Sequence, residues 1–245
     1  MIADIPVILV GIISGFSVIF FGVSAPISIP LLFLLGYPIN SVKGPVLMVD
    51  VVFAVTGTMF YRKIGKINWK IATLLTIGAL GAILGVYLST IIPEQTTTLV
   101  AALFEITTGT YILYDGAKHA TRTENIKIPT NKYPALLSIG LTAGFFKGYL
   151  GMGWGPIAMP LLILFGVNSY VVVASSLVSR IAVSLTSGVS YAFLGYAEPK
   201  ILINLLIGGI IGTALAIKAE KNVSEKNHRK LIGTIIMILG ITMLI

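Results

Sequence analysis

The chain contains no cysteine, which excludes disulfides, thiolate metal sites and any transport chemistry that passes through a protein thiol. It is almost as poor in charge: Asp, Glu, Lys and Arg make up 11% of 245 residues, and only nine residues are acidic. The two histidines, His119 and His228, stand far apart with no second ligand at metal spacing, so no metal site is expected. No G-x-x-x-x-G-K-[ST], H-E-x-x-H or G-x-S-x-G motif occurs. Their absence removes the common routes to nucleotide hydrolysis, zinc proteolysis and serine-hydrolase chemistry, and the expectation is a non-enzyme without a cofactor.

Apolar residues are abundant: 56% of the chain is hydrophobic and the mean hydropathy is +0.97, more than one soluble core can bury. Apolar runs such as 71–92 and 171–194 match the about 17–25 residues that a membrane helix needs. The alternation of transmembrane strands is missing, so the class is an all-α integral membrane protein and not a barrel. The opening "MIADIPVILVGIISGF" carries Asp4 but no Lys or Arg, and is read as a first membrane segment, not a cleaved signal.

Two parts of the chain match when the second is shifted back by 130 residues. "PISIPLLFLLG" (26–36) aligns with "PIAMPLLILFG" (156–166), and Thr56 with Thr186, Tyr61 with Tyr191, Gly65 with Gly195, Lys70 with Lys200 and Gly78 with Gly208. Residues 1–114 and 134–245 form two membrane repeats, joined by a polar cytoplasmic connector at 115–133. Each repeat reads as a broken segment followed by three helices: 44–62, 69–91 and 97–114, then 171–194, 200–217 and 230–245.

The net charge of +8 is unevenly spread. With connectors 62–70, 115–132 and 218–230 in the cytoplasm, that side holds thirteen of the seventeen basic residues, among them Arg62, Lys63, Lys66, Lys118, Arg122, Lys127 and Lys221. Lys43 and Lys200 remain outside. This distribution suits a bilayer and not nucleic acid. Each broken segment then enters and leaves on one face as a re-entrant hairpin, the repeats have inverted topology, and both termini lie outside a multi-pass plasma-membrane protein. A single tilted, broken crossing is the alternative reading.

A broken backbone at membrane depth survives only where protein buries it or where it lines a wet cavity. In "GMGWGPIAMP", Gly151, Gly153 and Gly155 allow tight turns, and a helix is expected to begin near Pro156, its N–H groups facing an anion. "FGVSAPISIP" does the same near Pro26, with Gly22 in the turn and Ser24 and Ser28 as further donors. Paired breaks of this kind frame midplane sites in secondary transporters; close helix packing is the competing explanation. Trp154, inside the second break, is expected to donate to substrate or to plug the cavity, with an interfacial belt residue as the competing reading.

Four ionisable residues fall in membrane segments: Asp50, Glu105, Lys147 and Arg180. Asp50 and Arg180 are 130 residues apart and so occupy equivalent places in the repeats. They are expected to meet, either as a structural pair or with Arg180 on the substrate anion. Ser175, Ser176 and Ser179 precede Arg180 and offer hydroxyls to the same anion or to their own helix. Lys147 either attracts anions or snorkels to the interface, and Glu105, with no charged equivalent, is a candidate coupling site for a proton or cation.

The paired breaks followed by P-x-x-x-P-L-L, the matching halves and the run "ASSLVS" (174–179) resemble the TauE/SafE family of sulfite and sulfonate exporters. The resemblance implies a plasma-membrane carrier, often an exporter, of small sulfur-containing anions such as sulfite or sulfonates. An anion channel and a carrier of non-sulfur carboxylates are the alternatives. The expected partners are the substrate anion, a coupling proton or cation and lipid, with a homodimer left open.

Overall fold

The computed structural model describes residues 4–63, 65–118, 130–164, 167, 169–219 and 225–244. Among them the fold is entirely helical. The predicted residues His119, Arg122, Lys127, Gly166 and Lys221 lie outside this set.

Helix α1 (Ile5–Phe21) has Pro6 in its first turn and stops at Gly22, whose φ of 65° supplies the left-handed backbone of a helix C-cap. Ser24 then opens α2 (Ala25–Leu34), again with proline in the first turn, at Pro26. Helix α3 (Ile39–Lys63) follows. The expected helix 69–91 is divided into α4 (Trp69–Leu75), capped by the Asn68 side chain, and α5 (Gly78–Ile91). The division falls where Gly78 meets the Gly140 carbonyl and the Trp154 ring, a contact that leaves no room for a side chain. The first repeat ends with α6 (Glu94–Lys118).

A 3₁₀ turn at Thr130–Lys132 leads into α7 (Tyr133–Leu150), which stops at Gly151 with φ 78°. The second break corrects the sequence expectation. The helix expected near Pro156 begins as a π-helical turn, Trp154–Ala158, and becomes α-helical only at the short α8 (Met159–Leu164). Helices α9 (Ser169–Phe193), α10 (Pro199–Ala219) and α11 (Glu225–Thr242) complete the chain. Four described stretches are long and apolar enough to span a membrane: Ile39–Lys63, Trp69–Ile91, Val171–Phe193 and Pro199–Ala219. The expected third crossings, α6 and α11, are not among them. The buried face of α6 carries Thr97, Glu105 and Thr108.

Helix α1 packs along α10, α5 along α7, α3 along α9 and α6 along α11. Exchanging the two halves maps the first two pairings onto each other and the last two onto themselves. Small residues make the first two pairings close. A Cβ on Gly144 would meet the Gly78 carbonyl, one on Gly148 the Ala82 carbonyl, and one on Gly212 the Ile12 carbonyl. The small-x-x-x-small patterns at Gly78 to Ala82 and Gly208 to Gly212 therefore serve helix packing. Gly144→Ala is expected to destabilise the protein by about 1–3 kcal/mol through overpacking, read as a lower thermal midpoint in detergent. Leu84→Ala, on an exposed face, should leave it nearly unchanged.

Polar contacts gather at the two ends of the bundle. At one end the Tyr37 hydroxyl donates to Asp4 (2.9 Å), Lys200 pairs with Asp4 (3.3 Å), and the Asn40 N–H donates to Glu94 (3.4 Å). The start of α1 and the end of α2 thus lie together. At the other end the Lys70 ammonium sits 4.7 Å from the Tyr133 ring centroid, and the Asn68 N–H donates to the Ser175 hydroxyl (2.9 Å). The starts of α4, α7 and α9 lie together there.

Candidate functional site

The two breaks meet in the bundle interior. Space beside Gly155 is taken by Val23, and the Gly22 turn is covered by the Met159 side chain. A small cavity between them is lined by Val23–Pro26, Lys147, Met152–Gly155 and Arg180, and leaves about 10 Å³ for a solvent centre, room for about one water. Every residue that lines it is buried.

Asp50 of α3 is the hub of this region. It is fully buried and takes donors from three other elements. The Ser24 hydroxyl donates to one carboxylate oxygen; Lys147 Nζ and the Ser184 hydroxyl donate to the other, each at 2.8 Å. Arg180 Nη1 lies 3.6 Å from the first oxygen. Ser24 is free for this contact because its side chain makes no hydrogen bond to the N-terminus it precedes. Arg180 Nη2 donates to the Gly22 carbonyl, so the guanidinium ties the first break to α9, while its Nε has no partner among the described residues.

Lys147 and Arg180, each 2% exposed, face the single carboxylate of Asp50, at 0%. If all three are ionised, the cluster carries one uncompensated positive charge in a low-dielectric interior, which a monoanion would neutralise. The unpartnered Nε supplies a donor on the same residue, and the planar fork of arginine suits oxyanions.

Of the residues expected at the site, Ser24, Pro26, Gly153, Trp154, Gly155, Lys147 and Arg180 line the cavity, and Gly22 and Asp50 contact it through Arg180. Trp154 is buried, and its indole N–H donates to the Ser176 carbonyl (3.1 Å). Lys147 does not snorkel: it is buried and paired with Asp50. Gly151 adjoins the break on its far side, against the stem of Lys43. The serines stand apart from the cavity: Ser176 and Ser179 donate to carbonyls of their own helix, while Ser175 accepts from Asn68. Their bonds follow from helix geometry, since a hydroxyl in apolar surroundings reaches the carbonyl one turn back. Glu105 is buried between α6 and Gly240 of α11, outside the cavity lining, and both its carboxyl oxygens lack partners among the described residues.

Three residues escaped the sequence reading. Ser184 stands one turn beyond Arg180 on α9 and could have been found from that spacing. Met152 lines the cavity from within the break. Lys43 was read as a connector residue before the helix at 44, but it lies within α3 and is fully buried, its Nζ donating to the Asn40 side chain at 2.9 Å. Its spacing with Leu47, Asp50 and Ala54, all buried on α3, follows one helical face and was the available signal.

Long apolar helices around paired breaks and a buried charge cluster belong to a multi-pass membrane transporter. The family model for the sulfite exporter TauE/SafE matches residues 7–243, and the chain belongs to that family. It is 23% identical to a probable membrane transporter protein of Methanocaldococcus jannaschii over 97% of this chain and 94% of the relative. A probable membrane transporter protein of Bacillus subtilis is 28% identical, over 77% of this chain and 63% of its own length. One from Xylella fastidiosa is 25% identical, over 72% and 69%. No solved structure matches significantly.

Proposed function

We propose that the protein is a secondary carrier, not an enzyme, that exports small sulfur-containing anions such as sulfite or sulfonates across the plasma membrane. The observation that carries this reading is the cluster of Lys147 and Arg180 around Asp50 beside the cavity between the breaks. A monoanion fits its charge. The buried cavity suits alternating access: the breaks separate toward one face or the other, and the anion meets Arg180, Lys147 and the Trp154 indole in turn. A channel reading has no comparable support, because a filter open to both faces at once would need a continuous path.

We also propose that the repeats are inverted and that the termini lie outside. Tyr37 against Asp4 and Tyr133 against Lys70 at opposite ends of the bundle support hairpins of opposite direction, and the basic connectors support the orientation. The experiment is a thermal-shift and flux screen of purified protein against sulfite, sulfoacetate, taurine and acetate. Stabilisation and saturable flux with the sulfur compounds support the reading; response to acetate alone assigns the carrier to carboxylates.

Glu105 is proposed as the proton-coupling carboxyl, on its full burial without a partner among the described residues, since a carboxylate so placed is a functional candidate by default. Flux driven by an imposed pH gradient is expected in wild-type vesicles and lost in Glu105→Gln, with exchange at equal pH retained. Equal responses of the two proteins to the gradient would remove Glu105 from coupling.

A further inference from the structure

Lys43 is a fully buried cation that the central cluster does not use. Its Nζ hydrogen-bonds the Asn40 side chain and stands 6.0 Å from the ring centroids of both Tyr149 and Tyr191. It makes no ion pair among the described residues. Its one hydrogen-bond partner among the described residues is neutral, and the carboxylate that acts on it, Glu94, is half-exposed and bonded to the Asn40 N–H and not to the ammonium. The buried charge is therefore only partly compensated, which is costly.

The structural explanation is that Lys43 caps the carbonyl end of α7, which stops beside it at Gly151. That end is already served: the Tyr191 hydroxyl donates to the Gly148 carbonyl at 2.7 Å. The first repeat has the same device, Tyr61 donating to the Ile19 carbonyl at 3.0 Å, and there the residue equivalent to Lys43 is Val173. The first break therefore closes without a lysine.

Lys43 also has a defined place relative to the central site. It lies on the same face of α3 as Asp50, two turns and about 10 Å nearer the end of the bundle that holds Asp4 and Glu94. Between them sits Leu47, packed with Val86 and Tyr191 in an apolar layer. Beyond Lys43, Asn40 and Glu94 are half-exposed and in contact. The order from that face inward is thus a half-exposed amide and the Glu94 carboxylate, a buried lysine, an apolar layer and the charge cluster.

We infer that Lys43 is an outer anion station, which holds the sulfur oxyanion between solvent and the apolar layer of Leu47, Val86 and Tyr191. The inference rests on the carrier reading above. When the layer parts, the anion exchanges the donors of Arg180 and Lys147 for the ammonium of Lys43 and the side-chain amide of Asn40. The apolar layer keeps the two stations from being joined while the site is closed.

The test is counterflow of radiolabelled sulfite in oriented proteoliposomes, with half-saturation measured separately on each face. Lys43→Met should raise half-saturation about tenfold on the Asn40 face, by loss of one charge-assisted hydrogen bond, and less than about twofold on the other. Lys43→Arg should restore most of the loss. The melting temperature of Lys43→Met should be equal to or above wild type, because a buried and only partly compensated charge has gone. Equal effects on both faces, no effect on either, or a lower melting temperature with no facial asymmetry would overturn the station. If Arg180→Gln abolishes flux while Lys43→Met shows no asymmetry, the outer station alone falls. If wild-type protein carries neither sulfite nor a sulfonate, both readings fall.

Discussion

Arg180→Gln abolishes anion flux while the protein still accumulates in the membrane: this is the expected result, a loss of about a hundredfold or more in transport rate. The magnitude follows from the roughly 1.5–3 kcal/mol of each hydrogen bond between the guanidinium and a bound anion, of which the planar fork can make two. Folding survives because the remaining pair is electrically complete. Asp50 keeps Lys147 at 2.8 Å and the hydroxyls of Ser24 and Ser184. What disappears is the surplus positive charge and the link from α9 to the Gly22 carbonyl. Arg180→Lys should recover only part of the flux, since one ammonium cannot serve both that carbonyl and an anion as a planar fork does. Flux assays normalised to membrane protein decide this. Wild-type rates in Arg180→Gln would remove Arg180 from the site.

Asp50→Asn is expected to act in the opposite way, on stability before transport. It leaves Lys147 and Arg180, both buried, with no counter-charge. Breaking a buried pair in this sense costs about 3–5 kcal/mol, enough to lower the thermal midpoint sharply and reduce the amount of folded protein. The pair Asp50→Asn and Lys147→Met, made together, should recover much of that stability by removing the uncompensated ammonium, yet should not recover transport. A double-mutant cycle on the melting temperature measures the coupling. Additive effects would show that Lys147 and Asp50 do not depend on one another.

Much of this arrangement was legible before any coordinates. The equivalence of Asp50 and Arg180 followed from the shift of 130 residues, and the two residues do come within 3.6 Å. Gly22, Gly151 and Gly153 marked the ends of helices because left-handed backbone there needs glycine, and all three have positive φ. The helix-packing reading of Gly78 and Gly208 was also a matter of local pattern.

Other residues could not be read this way. The second break looked like the start of an α-helix at Pro156, yet the backbone runs through a π-helical turn from Trp154 to Ala158, because the spacing of carbonyls in a turn depends on what packs around it. Ser175, Ser176 and Ser179 had the right spacing to face an anion, but their hydroxyls bond nearby backbone and not the cavity. Lys43 seemed a loop residue because the helix start was expected at 44; α3 begins at Ile39, and one added turn carries that lysine inside.

The sequence by itself determined the solvent, the repeat and the places where helices must stop, since these depend on composition, periodicity and the conformations open to glycine and proline. Only the tertiary structure decided which charges share a counter-ion. Lys147 and Asp50 are 97 residues apart and Ser184 and Asp50 134. Contacts across such separations arise from helix crossing, where a shift of one residue turns a side chain by about 100° around the axis and changes what it meets.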